Sequence, residues 1–240
     1  MKKELNIVLV HGAWGDGSHW KHVIPVLHAK GYTVRAVQNP LTSLPEDIER
    51  TKNLVDSLEG PTLLVGHSYG GMVITNVGNE DNVVGLVYIA AFAPDEGETA
   101  GGIFSLREAP PGAASLKLDA QSYFWIDFDQ YHENFCQDVP DEEALVMGIS
   151  QKPLAARCFG DVSGIPAWKV KPSWYQVSEQ DRMIPPETEA FMAERMKTQK
   201  TITLNSSHAS LASHGQQVAD FILEAAESIQ KTALAYVSTL

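Results

Sequence analysis

Short apolar runs alternate with stretches of helical spacing through the first part of the chain. The run Asn6-Ile7-Val8-Leu9-Val10 predicts a buried strand, and the glycine-rich loop His11-Gly12-Ala13-Trp14-Gly15-Asp16-Gly17 follows it. A helix is expected over 18–30, ended by Gly31, because glycine just past a last turn takes up the left-handed cap conformation freely. Residues 32–37 predict the next strand. Ser43 is placed to cap a helix that begins with Pro45 and runs to about 58, where Gly60-Pro61 breaks it. Strands are expected at 62–65 and 83–90, with a helix at 72–78 between them. Strands that are apolar along nearly their whole length and separated by helices belong to a parallel sheet covered on both faces. The fold class is therefore α/β, with right-handed connections.

From Pro94 this rhythm stops. Residues 95–165 are rich in Pro, Gly, Asp and aromatic side chains, with short amphipathic pieces at 119–128 and 140–150. The rhythm resumes with a strand at 174–177, a loop carrying Asp181, a proline-led helix at 185–196 and a strand at 201–204. The last helix is expected at 218–229, where Val218, Phe221, Ile222, Ala225 and Ile229 share one face. The chain shows no internal repeat. This organisation predicts a core built from 1–94 and 166–240, interrupted by a cap insertion at 95–165. The tail after Lys231 is expected to continue the last helix or to fray.

With 240 residues and 44% hydrophobic content, the chain can fill one good-sized core without disulfides. Its 18 basic and 30 acidic residues give a net charge of −12, which argues against nucleic acid and anionic membrane surfaces as partners. Its two cysteines, Cys136 and Cys158, form no CxxC and no Cys/His cluster of zinc spacing, so no metal site is expected. The apolar stretch ending at Val10 is too short for a signal-peptide core, and no stretch approaches the ~20 apolar residues of a membrane span. A soluble cytoplasmic protein is expected.

The chemistry centres on Gly66-His67-Ser68-Tyr69-Gly70, which lies between an expected strand and an expected helix. A Gly-x-Ser-x-Gly turn in that context lifts a serine hydroxyl above the sheet and aims the first helical N–H groups at the reacting centre. A hydroxyl needs a base, and an imidazole base needs a carboxylate to hold its tautomer. The carboxylate candidate is Asp181, with Glu179 as its neighbouring rival. The base candidate is His208, with His214 as its rival. The backbone N–H groups of Ala13 and Tyr69 are the expected oxyanion-hole donors. The loop after the first strand has no Gly-Lys-Ser/Thr and no G-x-G-x-x-G, which argues against phosphate binding there. His67 is expected to pack beside the nucleophile.

The chain resembles the α/β-hydrolase superfamily, in particular the small serine esterase branch that includes plant methyl-ester esterases and hydroxynitrile lyases. The segments that carry the resemblance are 8–14, 66–72, 87–95, 179–185 and Ser207-His208. The resemblance implies an α/β-hydrolase fold with a mostly parallel central sheet and an inserted cap. It implies Ser68 as nucleophile, Asp181 as orienting residue and His208 as base, with Ala13 and Tyr69 forming the oxyanion hole. Hydroxynitrile lyases of this branch carry a lysine after the histidine and a threonine shortly before the His-Gly turn; here Ala209 follows His208 and Val10 precedes His11. The expectation is a serine hydrolase for small, largely apolar carboxylic esters that needs no cofactor. Thioester or carbon–carbon bond hydrolysis, acyl transfer, and a non-catalytic receptor on the same scaffold are the alternatives. Trp14, Phe124, Trp125 and Phe128 are the aromatic candidates to line the pocket.

Overall fold

The computed structural model describes residues 4–237. In chain order, β1 (Asn6–Val10), α1 (Ile24–Ala29), β2 (Thr33–Ala36), α2 (Leu44–Asp56), β3 (Thr62–His67), α3 (Gly70–Val77) and β4 (Val83–Ile89) alternate as the apolar pattern predicts. An inserted segment follows, with α4 (Ala100–Phe104), β5 (Leu116–Leu118), β6 (Tyr123–Ile126), α5 (Phe128–Phe135), α6 (Asp141–Ile149), β7 (Leu154–Ala155) and α7 (Arg157–Gly160). The alternation then resumes with β8 (Ser173–Ser178), α8 (Pro186–Met196), β9 (Lys200–Leu204), α9 (Ser210–Ser213) and α10 (Gly215–Val237). The tail beyond Lys231 thus continues α10, and 238–240 lie outside the described residues.

The core strands form a six-stranded sheet in the order β2-β1-β3-β4-β8-β9. Every neighbouring pair in it is parallel. Alternate side chains along each strand enter different cores. Ile7, Leu9, Leu63, Val65, Val87 and Ile89 pack with α1 and α10 on one face. Val8, Val10, Leu64, Leu86 and Tyr88 pack with α2, α3 and α8 on the other. Burial of both faces explains why these strands are apolar throughout, and at about 1.5–3 kcal/mol per buried aliphatic side chain it makes the sheet a rigid platform.

Two local expectations change in the folded chain. The stretch expected as one helix over 18–30 divides into a 3₁₀ turn, Gly17–Trp20, and α1. Pro25 is the cause: it lacks the N–H an interior helical position needs, so the helix starts at Ile24 with proline in its first turn. The piece at 119–128 contains β6, the central strand of a small antiparallel sheet, β5-β6-β7.

The inserted segment joins the α3 face of the core through Ile126, Tyr131, Phe135 and Leu154. Its two ends are fastened to each other. Gly97 N–H donates to Ser163 O at 3.0 Å, and Ser163 N–H donates to Glu98 O at 2.8 Å. Cys136 and Cys158 are buried, unpaired thiols, and burial pushes each up to about 12. Among the described residues no helix is long and apolar enough to cross a membrane.

Strand register brings the carboxyl ends of the strands to one edge. Val10 lies opposite Gly66, His67 opposite Ile89, and Ser178 opposite Leu204. The chain leaves β1 toward β2 on one side and returns to β3 on the other, which opens a crevice beyond those ends.

Candidate active site

The turn from β3 into α3 sets the geometry of the crevice. Ser68 has φ +54°, in the left-handed region that side-chain-bearing residues seldom adopt. Neighbouring backbone holds it there. Ser68 N–H donates to Ile89 O at 3.2 Å, and Ser68 O accepts from Gly71 N–H at 3.0 Å and Phe92 N–H at 3.1 Å. A Cβ on Gly66 would meet Gly70 O at 2.8 Å, and one on Gly70 would meet Val10 O at 2.5 Å. Both positions need glycine because backbone occupies the space.

Asp181 and His208 complete a hydrogen-bonded series with Ser68. Asp181 Oδ1 accepts from Met183 N–H at 2.6 Å and Ile184 N–H at 2.8 Å. Its Oδ2 lies 2.5 Å from His208 Nδ1. A carboxylate can only accept, so Nδ1 carries the imidazole proton and Nε2 presents a lone pair. Ser68 Oγ stands 2.8 Å from that Nε2 and donates to it. All three side chains are buried. Water competes little for these bonds, and the low local polarity strengthens them.

The rivals occupy other places. Glu179 is exposed, and its N–H donates to Leu204 O at 2.8 Å. His214 Nδ1 lies 2.9 Å from Ser213 Oγ and 3.6 Å from Asp138 Oδ2.

Long-range contacts hold the two loops in register. Gln180 N–H donates to Ser206 O at 3.0 Å. From the inserted segment, Gln137 Nε2 donates to Gln180 O at 2.7 Å and Asp138 Oδ2 accepts the Ser207 N–H at 2.9 Å. The Phe135 ring stands edge-on to His208 with centroids 5.0 Å apart. His67 Nε2–H donates to His208 O at 2.8 Å, so this residue does more than pack beside Ser68. Burial holds the His67 pKa well below its ordinary value, and the neutral ring adds no charge beside His208. Gln137 and Asp138 escape sequence reasoning because no motif marks them.

Ala13 and Tyr69 flank Ser68 at the crevice. Among the described residues, neither backbone N–H is donated to a protein acceptor. Each is braced from behind. His11 Nδ1–H donates to Gly12 O at 2.8 Å, and its Nε2 accepts Asn39 N–H at 3.0 Å. Burial lowers the His11 pKa to about 4, which keeps the ring neutral for both roles. Trp14, at φ +58°, donates its indole N–H to Phe124 O at 2.9 Å. Tyr69 donates its hydroxyl to Asp47 Oδ2 at 2.9 Å.

Above Ser68 lies a small apolar pocket, walled by Trp14, Phe92, Phe104, Leu154, Phe159, Met183 and Ile184 among others. Of the four aromatic residues expected to line it, Trp14 does so and three do not. Phe124 sits behind the wall, with its ring 5.5 Å from that of Phe159. Trp125, the next residue along β6, bonds its indole N–H to Asp119 Oδ2 at 2.8 Å. The strand's two-residue period separates their directions. Phe128 starts α5 and is 49% exposed. Met183 and Ile184 carried a sequence signal, since they follow Asp181 and donate to it. Phe104, Leu154 and Phe159 carried none, because the fold of the inserted segment brings them there. Among the described residues no group of three or more His, Cys, Asp or Glu side chains is arranged to hold a metal ion.

The model of a family described as "Alpha/beta hydrolase family" matches residues 7–221. The carbendazim hydrolyzing esterase of Nocardioides sp. (strain SG-4G) is 34% identical over 170 residues, 64% of this chain and 67% of that protein. Methylesterase 2 of Arabidopsis thaliana is 22% identical, covering 95% of this chain and 98% of its own. The crystal structure of a pyrethroid hydrolase from Sphingobium faniae JZ-2 superposes with a TM-score of 0.81 at 24% identity, covering 93% of this chain and 98% of that one.

Proposed function

This chain belongs to the alpha/beta hydrolase family, and from that premise we propose that it cleaves small, largely apolar carboxylic esters by way of Ser68, His208 and Asp181. The observation that carries the reading is the unbroken series from Asp181 through His208 to the Ser68 hydroxyl, set at the mouth of an apolar cavity. Relatives named as esterases support the reaction class.

Ser68 Oγ attacks the ester carbonyl carbon while His208 Nε2 takes the hydroxyl proton. Asp181 keeps the opposite nitrogen protonated and stabilises the imidazolium that forms. The carbonyl oxygen becomes an oxyanion held by the Ala13 and Tyr69 N–H groups, each worth about 10²–10³-fold in rate. His208 returns the proton to the departing alkoxide, and the alcohol leaves an acyl-enzyme on Ser68. Water then attacks this acyl group as His208 takes its proton. Ser68 regains a hydrogen and the acid departs.

Residues 95–165 serve as the cap that closes the cavity, a reading supported by the fastening of their ends at 97–98 and 163. The small apolar cavity favours uncharged acyl or alcohol groups. The net charge of −12 disfavours polyanionic substrates. Two unpaired thiols fit a reducing compartment such as the cytoplasm.

Labelling with a fluorophosphonate probe tests the nucleophile. Wild-type protein should react at Ser68, and Ser68→Ala should lose labelling and about 10⁴-fold or more of its ester turnover while remaining folded. Near-normal turnover in that variant would remove the assignment.

A further inference from the structure

Glu189, in the first part of α8, is wholly buried. Its Oε2 accepts the Ser178 N–H at 2.9 Å. Its Oε1 is also buried, and among the described residues no N–H or O–H donor reaches it. Ser178 O in turn accepts the Asp181 N–H at 3.2 Å, which places the Glu189 carboxyl beside the turn that carries Asp181. Asp181 by contrast already receives Met183 N–H, Ile184 N–H and His208 Nδ1–H. Two carboxyls set side by side in such a place cannot both stay ionised, and the one with more donors keeps the charge.

We propose that Glu189 is a positioning residue that, as the neutral acid, donates its Oε1–H to Asp181 and so fixes that carboxylate on His208. The proposal rests on Asp181 orienting His208. Among the described residues no cation is paired with Glu189. Tyr175, buried on β8, donates its hydroxyl to Ala91 O. Arg195, further along α8, is taken by Glu98, and Arg182 by Glu133. The first turn of α8 favours negative charge weakly, whereas burial and the Asp181 charge both push the Glu189 pKa well above its ordinary value. A neutral donor restrains Asp181 without placing a second negative charge near the imidazole. Such a charge would hold a proton on His208 and narrow the pH range in which it can act as a base.

Infrared spectroscopy of the whole protein at about pH 8 reads the proton directly, because ordinary carboxyls, and Asp47 at about 6, are then ionised. Wild-type protein should show the C=O stretch of a protonated carboxyl, and Glu189→Gln should abolish it. No such band in the wild type overturns the proposal. In Glu189→Gln an amide N–H replaces the acid O–H, so kcat should stay within about threefold and the acid limb of kcat/KM should not move. Glu189→Leu removes the donor and should lower kcat about tenfold or more with KM little changed. An acid limb shifted downward in Glu189→Gln, or wild-type kcat in Glu189→Leu, overturns the proposal. Should the leucine variant fail to fold, the band and the glutamine variant still decide. Fluorophosphonate labelling separates the two levels: a reactive Ser68 with no band removes the role of Glu189 alone, whereas an unreactive wild-type Ser68 removes the reading beneath it.

Discussion

Asp47 offers a stability test of the scaffold behind the candidate oxyanion donor. It is fully buried in α2, accepts Leu41 N–H at 2.9 Å through Oδ1 and holds the Tyr69 hydroxyl through Oδ2. Burial raises its pKa from 3.8 to about 6, outweighing those hydrogen bonds. Between these values the folded protein keeps a proton that the unfolded chain has released. The stability from this group is therefore complete below 3.8 and is lost as pH rises through about 6. At about 1.4 kcal/mol for each tenfold change, the gap amounts to about 3 kcal/mol. Asp47→Asn keeps the shape and an acceptor for Leu41 N–H but does not titrate. Urea unfolding of both proteins from about pH 4 to pH 8 isolates the term, since other titrating groups cancel in the difference. The wild-type value minus the variant value should fall by about 2.4 kcal/mol across that range, since part of the full gap lies below pH 4. A difference constant to within about 0.5 kcal/mol, or one that rises with pH, would refute the reasoning.

The other expectations concern the histidine loop. His208→Ala should lower ester turnover about as far as Ser68→Ala, and His214→Ala should change it little; the reverse ranking in steady-state assays would move the base. Asp138→Ala leaves the Ser207 N–H without its acceptor, and Asp138→Asn supplies another oxygen in its place. The alanine variant should lose about 1–3 kcal/mol of stability in urea unfolding and the asparagine variant markedly less, while equal losses would show that the contact does not hold the loop.

Much of the candidate site was legible because its signals are local. Gly66 and Gly70 mark a turn whose backbone leaves no room for Cβ, so the elbow can be read from a few adjacent residues. Asp181 and His208 each follow a strand, β8 and β9, at the carboxyl edge of the parallel sheet. Glu179 is exposed where Asp181 is buried, a difference that emerges only when the loop folds back on Met183 and Ile184. Pro25 carried a legible warning that the helix expected over 18–30 would divide.

The chain alone determined the α/β alternation, the sharp turn at Ser68 and the residue types able to move a proton, because strand periodicity, turn sterics and side-chain chemistry act over a few neighbouring residues. Tertiary structure decided which inserted side chains wall the cavity, that Asp138 grips Ser207, and that Glu189 reaches Ser178. Those contacts join segments distant in sequence, and which of them form depends on how the inserted segment and α8 pack against the sheet. No local rule specifies that packing.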